Sequence, residues 1–431
     1  MESWNRPART PNRRFERKPM TLVRVAPLLT ALIATQALAE TSEAAPDYAA
    51  RLLGDVGRGG LYQRGVDMEI VYKLDLVGKL SHGAHQGHLY ALDNLDIKFT
   101  LDGARLFGGE GTRGLIYFLG NHGGKPALRN DRLPHGLDNI EVPAGADTFK
   151  LYQAWLERDM SDSLSIKAGL YDLNSEFYVT ETSALFVHPT YGIGAELAGT
   201  GRNGPSIFPT TSLALRVNWH PAPQWSVQAA VLDGVPGDPD NPNGTHIQFN
   251  DGDGALQIME TAWLPGTGES RLGKLALGLW RYTRRFDDLV DLDAGGNPVQ
   301  RHSQGFYLIG ESRLAKNARG ETWGFLRWGR NDGDTTQFES AWSGGLVWTG
   351  LISGRPEDQF GLTVSQENNG AKWLSASGNP VRKEQALEIA YRGAVNDWLT
   401  LQPFVQYLID HGNDPTQNRS WWLGLRLEFN L

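Results

Sequence analysis

The 431-residue sequence contains no cysteine, which excludes disulfides and thiolate metal sites. After residue 39 no apolar run reaches 18 residues. That excludes a membrane protein built of spanning helices. It leaves open a membrane barrel, whose strands alternate and so average to near neutral. No repeat of 20–50 residues occurs, which argues against a propeller. No G-x-S-x-G stretch or other nucleophile signature is present. Gly199-Thr200-Gly201-Arg202-Asn203-Gly204 spells a dinucleotide fingerprint, but it lacks the strand–helix–strand setting that would give it meaning. No cofactor is expected.

Positive charge is scarce too, once the first 39 residues are set apart. Arg6, Arg9, Arg13, Arg14, Arg17, Lys18 and Arg24 precede the apolar run Val25 to Leu38, and Ala37-Leu38-Ala39 forms a small-residue cleavage site. This is the pattern of a secretory signal peptide cut before Glu40; Met20 offers a second start that would give a leader of ordinary length. Cleavage removes seven positive and two negative charges, taking the net charge from −8 to about −13. Nucleic acid is therefore excluded as a partner.

What the sequence does have is alternation. In Val66 to Leu76 the even positions are apolar and the odd ones mostly charged, the period of a half-buried strand. Fifteen further segments read as strands: 88–101, 113–121, 147–159, 163–172, 211–220, 223–233, 254–264, 272–286, 301–315, 321–330, 338–350, 357–368, 383–394, 397–409 and 419–431. Alternation is broken in 88–101, 147–159 and 254–264, as at a bulge or beneath a buried loop. Residues 40–65 read as a polar linker, with a short helix over Asp47 to Leu53 stopped by the glycines of 54–60.

The connections alternate in length. Those at 159–162, 220–223, 316–320 and 394–397 are short; those at 122–146, 173–210, 234–253, 287–300, 369–382 and 410–418 are long. An even number of antiparallel strands with short turns at one end and long loops at the other is the layout of an outer-membrane barrel. The expected fold is thus all-β, a transmembrane antiparallel β-barrel of about 16 strands, with residues 66–431 as the barrel. Both chain ends fall on the periplasmic side. In the last strand Trp421, Leu423, Leu425, Leu427, Phe429 and Leu431 share one face, which would meet lipid, and Trp422, Gly424, Arg426, Glu428 and Asn430 share the other. Trp219, Trp225, Trp398 and Trp421 sit at strand ends, as an aromatic girdle requires. The longest gap, between 163–172 and 211–220, is too long to be an idle connection. We expect it to fold into the lumen.

The residues resemble a known family, the carbohydrate-selective (OprB-type) porins. The resemblance is carried by Asp138-Asn139-Ile140-Glu141-Val142-Pro143, Leu151 to Glu157, Ser163 to Tyr171, Asn174 to Val179 and Ala184-Leu185-Phe186. It continues in Val231 to Gly234, Gly254-Ala255-Leu256, Gly350 to Asp358 and Trp398 to Pro403. Val56 stands where the family often has Trp, and Leu431 where outer-membrane proteins usually have Phe. The resemblance implies a 16-stranded outer-membrane barrel that admits sugars and is narrowed by infolded loops. Outer-membrane lipid, lipopolysaccharide and the barrel-assembly machinery follow as partners, and a homotrimer stands beside a monomer.

Passage of a sugar needs no catalyst. It needs hydrogen-bonding groups, an aromatic face and contacts weak enough to release. Lumen-facing Lys167, Tyr171, Arg216 and Gln228, and loop residues Arg132, Glu141, Glu176, Phe177 and Tyr178, are the expected constriction residues. An anion pore would call for rings of Lys or Arg, whereas acids outnumber bases in the cleaved chain. A general or anion-selective porin is the nearest alternative; a barrel enzyme and a secreted polysaccharide-binding sandwich are further ones. For a metal, Asn250-Asp251-Gly252-Asp253-Gly254 lacks the spaced ligands of a calcium loop, so Asp251 and Asp253 are weak candidates, as are His82, His85 and His88.

Overall fold

A computed structural model describes residues 46–80, 87–126, 136–143, 145–266, 271–318, 320–413 and 419–431. The leader, Arg132, His82 and His85 lie outside the described residues.

The described residues form sixteen strands. They are β1 (Val66–Lys79), β2 (Leu89–Asp102), β3 (Thr112–Gly123), β4 (Thr148–Ser161), β5 (Leu164–Tyr171), β6 (Ser212–Ala222), β7 (Trp225–Asp233) and β8 (Ala255–Trp263). The second half comprises β9 (Gly273–Leu292), β10 (Pro298–Lys316), β11 (Glu321–Asn331), β12 (Phe338–Thr349), β13 (Gln359–Asn369), β14 (Lys383–Asn396), β15 (Leu399–Ile409) and β16 (Arg419–Asn430). Each pairs antiparallel with its sequence neighbour. β16 closes on β1, with Leu425 opposite Leu76 and Leu427 opposite Leu74. Closure leaves no strand edge unpaired, the condition for a sheet in hydrocarbon.

The period of two decides which way each side chain points. In β16, Trp421 and Leu423 are exposed on the outside while Ser420, Trp422 and Arg426 are buried inside. The lumen-facing β1 residue Asp75 receives Arg426 in a two-point ion pair, Nε to Oδ1 at 2.9 Å and Nη2 to Oδ2 at 2.6 Å. The break in 147–159 is a bulge: Tyr117 faces Gln153 but Phe118 faces Leu151, so Tyr152 turns inward. In β8 burial alternates without interruption; what breaks the sequence pattern there is Glu260, a charged residue on an otherwise apolar inner row.

Two expectations are corrected. The gap at 287–300 is not a long loop. β9 and β10 run on through it, leaving only residues 293–297 as a turn. The helix expected over Asp47 to Leu53 is one 3-10 turn at Tyr48–Ala50, and α1 forms later, at Arg58–Gln63. This segment latches the barrel seam. Arg58 Nη1 donates to Leu431 O at 2.6 Å, Leu52 N to Asn430 O at 3.0 Å, and Tyr48 Oη to Asp67 at 2.5 Å. On the turn side, α2 (Gly103–Phe107) fills the connection between β2 and β3.

The apolar core sits inside the barrel. One cluster joins Leu185, Phe186, Val187 and Tyr191 to wall residues such as Phe325, Phe404 and Trp422; a second joins Phe177, Tyr178 and Leu197 to Trp280, Tyr282 and Tyr307. These seven non-wall residues belong to the segment between β5 and β6, while Leu137 and Ile140 of the first cluster come from the loop between β3 and β4.

Candidate permeation site

The segment 172–211 leaves β5, crosses the lumen and returns to β6. Its backbone is irregular apart from short 3-10 turns and α3 (Ala195–Ala198). Irregular backbone at this depth is tolerated only where its N–H and C=O groups find partners. The wall supplies them by charge type. Carboxylates accept from the loop's N–H groups. Glu260 of β8 takes Tyr178 N at 3.0 Å, Glu311 of β10 takes Glu181 N at 3.2 Å and the amide and hydroxyl of Thr182, and Glu388 of β14 takes Val187 N at 2.7 Å and His188 N at 2.9 Å. Guanidinium and amide groups donate to its carbonyls. Arg327 of β11 reaches Thr190 O at 2.7 Å and Gly192 O at 2.8 Å, Asn331 reaches Glu196 O at 2.8 Å, and Gln402 of β15 reaches Leu185 O at 2.6 Å.

The loop enters the lumen at a charged node. Glu176 accepts from Arg216 at two points, Nε to Oε2 and Nη2 to Oε1, both 2.7 Å. It also accepts from Tyr171 Oη at 2.7 Å and from Lys167 Nζ. Glu157 of β4 lies behind, 3.0 Å from Arg216 Nη1, 3.5 Å from Lys167 Nζ and 2.9 Å from Arg113 Nη2. Lys167 also stands 3.9 Å from the centre of the Trp155 ring, a cation–π contact. Burial raises the Glu176 carboxyl, but the charges of Lys167 and Arg216 outweigh it and hold the group at about 2.

Beyond the node the chain turns sharply. Tyr178 has φ 63°, in the left-handed region that costs a side chain about 1 kcal/mol or more. Three contacts hold it there: its N–H on Glu260, its ring stacked on Tyr307 at 4.0 Å, and its hydroxyl on Glu196 Oε1 at 2.8 Å. Glu196 needs Gly329 beside it, since a Cβ there would lie 1.8 Å from Glu196 Oε1. Burial pushes the Glu196 carboxyl up to about 7, and its Oε2 has no hydrogen-bond partner among the described residues.

Of the expected residues, the structure brings Lys167, Tyr171, Glu176 and Arg216 into direct contact. Phe177 and Tyr178 follow them into the core, and Gln228 of β7 donates to Glu176 O at 2.9 Å. Lys167, Tyr171, Phe177, Tyr178 and Arg216 are buried, whereas Gln228 and Glu141 are half-buried. Glu141 lies apart, in the segment 136–143 of the loop between β3 and β4. That segment is also inside the barrel: Arg426 donates to Asp138 and Asn139, and Asn139 N donates to Val187 O at 2.8 Å. Asp253 accepts from Asn250 N at 3.1 Å, and no group of three His, Asp or Glu among the described residues could hold a metal.

Sequence reasoning missed Glu260, Glu311, Arg327, Glu388 and Gln402. A signal was present for three of them: each is a charge next to apolar residues in an inward row, Glu260 between Ile258 and Ala262, Glu388 between Ala386 and Ala390, and Arg327 after Phe325.

A wall stripe outside the loop's grip keeps half-exposed charges. Lys73 pairs with Asp96 at 3.1 Å, Lys98 with Glu69 at 4.0 Å and Arg392 with Glu428 at 2.8 Å; Tyr117 Oη donates to Asp96 at 2.6 Å. In each of these three pairs a cation faces a carboxylate.

Three comparisons bear on this geometry. The family model described as "Carbohydrate-selective porin, OprB family" matches residues 87–431. Porin B of Pseudomonas aeruginosa is 23% identical over 416 residues, covering 88% of this chain and 90% of its own. The high-pH structure of Pseudomonas putida OprB superposes with a TM-score of 0.75 at 20% identity, over 90% of this chain and all of that one; the low-pH structure of the same protein gives 0.55 at 16%. A closed 16-stranded barrel with a loop bonded across its lumen, matched by that family model over most of its length, belongs to the OprB family of carbohydrate-selective porins.

Proposed function

We propose that this channel of the outer membrane selects sugars at the eyelet that the 172–211 loop forms with the wall, and that Lys167, Tyr171, Glu176, Phe177, Tyr178, Arg216, Gln228, Glu141 and Arg132 are its constriction residues. The buried members fix the aperture. The half-buried ones, Gln228 and Glu141, with the open edge of Glu176, meet the permeant. Transient hydrogen bonds from fixed charged groups slow a polyol without trapping it.

The observation that carries this reading is charge balance at the node. Lys167, Arg216 and Arg113 face Glu157, Glu176 and Asp159. A passing anion finds no unmatched cation there, while a neutral polyol finds donors and acceptors together. Export through residues 1–39, with cleavage before Glu40, belongs to the same reading, and amino-terminal sequencing of the mature protein tests it.

Liposome swelling with a panel of sugars, amino acids and anions tests the selectivity. Sugars should enter faster than amino acids of equal size, and added sugar should lower single-channel conductance in planar bilayers. Strong block by phosphate with none by any sugar would instead favour an anion-selective channel.

A further inference from the structure

The outer wall of β6 to β9 carries a feature that the channel does not use. Outward side chains line up across strands in two neighbouring rows. The upper row is Leu215, Val231, Gln257 and Arg281; the lower row is Val217, Ala229, Met259 and Leu279. Ala229 is the smallest of the eight and stands between Val217 and Met259. The result is an outward-facing hollow of about 440 Å³, apolar along its floor and polar at one corner, where Gln257 and Arg281 meet.

Arg281 is where the outward row of β9 turns from apolar to polar, with Thr283 and Arg285 exposed beyond it. Leu275, Leu277 and Leu279 below it are exposed and apolar. Trp263 pairs with Leu275 and Trp225 with Trp263, marking the periplasmic girdle. Six residues of strand separate Leu275 from Arg281, about 20 Å of strand and roughly 15 Å of height at the usual barrel tilt. The apolar band of such barrels is about 25 Å tall, so Arg281 lies in its extracellular half, where the cost of a lipid-facing arginine falls from about 2–4 kcal/mol at the midplane toward about 0–1 at the headgroups. Lumen arginines such as Arg216 and Arg426 have carboxylate partners. The guanidinium of Arg281 has no hydrogen bond or ion pair among the described residues, and its neighbours in register, Gln257 and Gln304, are neutral.

We propose that this hollow holds one phosphate-headed acyl lipid of the extracellular leaflet, with its phosphate on Arg281 and Gln257 and an acyl chain along Val231, Ala229 and Met259. The charge decides the headgroup, because a lipid-facing cation without a protein anion is matched by a phosphate, which also accepts from an amide. The shape decides the tail, because a trench floored by an alanine and walled by Val, Leu and Met fits an alkyl chain and offers a polar chain nothing.

Native mass spectrometry of the whole delipidated protein in detergent tests this, with diphosphoryl lipid A as the probe. One lipid per chain should be retained. Arg281→Gln should weaken retention about tenfold, the worth of one charge-assisted hydrogen-bonded pair, and Ala229→Phe should weaken it similarly by filling the trench. Dephosphorylated lipid A should bind the native protein as weakly as Arg281→Gln binds the phosphorylated form. Both variants should keep a heat-resistant barrel and unchanged conductance; if one fails to fold, the other, on a different strand, decides. Equal retention by the variants, equal retention of the dephosphorylated lipid, or the same dependence on Arg281 for inorganic phosphate alone would overturn the proposal. So would dimers or trimers that either substitution disperses, since the face would then be a contact between copies.

Discussion

The connection 172–211 and the β9–β10 hairpin look alike in sequence, each a stretch without sustained alternation between two clear strands. They fold in opposite ways. The first abandons strand geometry and is bonded to the inner wall from β4 round to β15. The second keeps strand geometry to residue 292 and resumes it at 298. The difference lies in where the backbone groups go. Hairpin residues bond across to each other, as Phe286 and Arg301 do in register. In the loop only the ends do so, as Leu173 N does to Ser206 O at 2.7 Å, because its middle lies across the lumen. The N–H and C=O groups of the middle go to side chains, and those side chains have to be provided by the wall.

The sharpest way to break the comparison is to remove each element in turn. Deleting 175–205 should raise single-channel conductance severalfold and abolish block by sugar, while heat-modifiable mobility shows a folded barrel. Trimming 289–300 to a tight turn should leave both conductance and block near native. If the trimmed hairpin also lost its sugar block, the assignment of selectivity to the loop would be wrong.

Next in size is the node. Arg216→Ala leaves Glu157 and Glu176 with fewer buried cations, and breaking a buried pair from one side costs about 3–5 kcal/mol. The loop should loosen at its entry, seen as noisy current and as new protease cuts after residue 171, with the barrel intact. Arg216→Lys should recover only part of this, since an ammonium cannot make the two-point bond to Glu176.

Much of this was legible in the sequence, and the limits have a physical cause. Period-two alternation located the strands and, where it was unbroken, their faces, because burial on one side of a sheet imposes that period whatever lies inside. The inward course of 172–211 was legible from length and from Asn174 to Phe186. The clamps were not. Glu260, Glu311 and Glu388 bond to amides 82, 129 and 201 positions away, and nothing local in Met259-Glu260-Thr261 says which backbone it will meet. The hairpin was misread for a different reason. Asp287-Asp288 and Pro298 break the alternation, yet strands rising above the membrane no longer need one apolar face.

A third test uses pH and separates the loop from the hairpin. The Glu196 carboxyl lies in the loop with its pKa raised by burial to about 7 from an ordinary 4.5. An acid whose folded-state value is raised holds its proton more tightly when folded. Its contribution is therefore intact below about 4.5 and is lost as pH rises through 7. Over that window the loss approaches 3 kcal/mol, at about 1.4 kcal/mol per pH unit. Glu196→Gln keeps the bond from Tyr178 and cannot ionise, so between pH 5 and pH 8 the native loop should become more protease-sensitive and the variant should not. An unchanged native loop across that range would refute the buried-acid account.

The smallest expected effect belongs to the hairpin. Its base is tied to α4 (Ala371–Ser377) by Lys372, whose ammonium lies 2.5 Å from Asp288 and 2.7 Å from both Asp291 and Asp334, with Arg301 at 3.2 Å from Asp288. Five charges meet there; Asp288 is enclosed, but Lys372, Arg301, Asp291 and Asp334 are partly open to solvent, and ties between such groups are worth about 1 kcal/mol or less and are screened by salt. Lys372→Ala should therefore change hydrogen exchange only in 286–301 and 371–377, and raising salt to about 1 M should erase the difference, the screening length there being about 3 Å. The same salt should leave the Arg216–Glu176 node largely intact, because Arg216 is buried and only one edge of Glu176 is open, so ions screen the pair far less. A Lys372→Ala effect as large as that of Arg216→Ala would mean that the hairpin, like the loop, is held by its partners rather than by its own pairing.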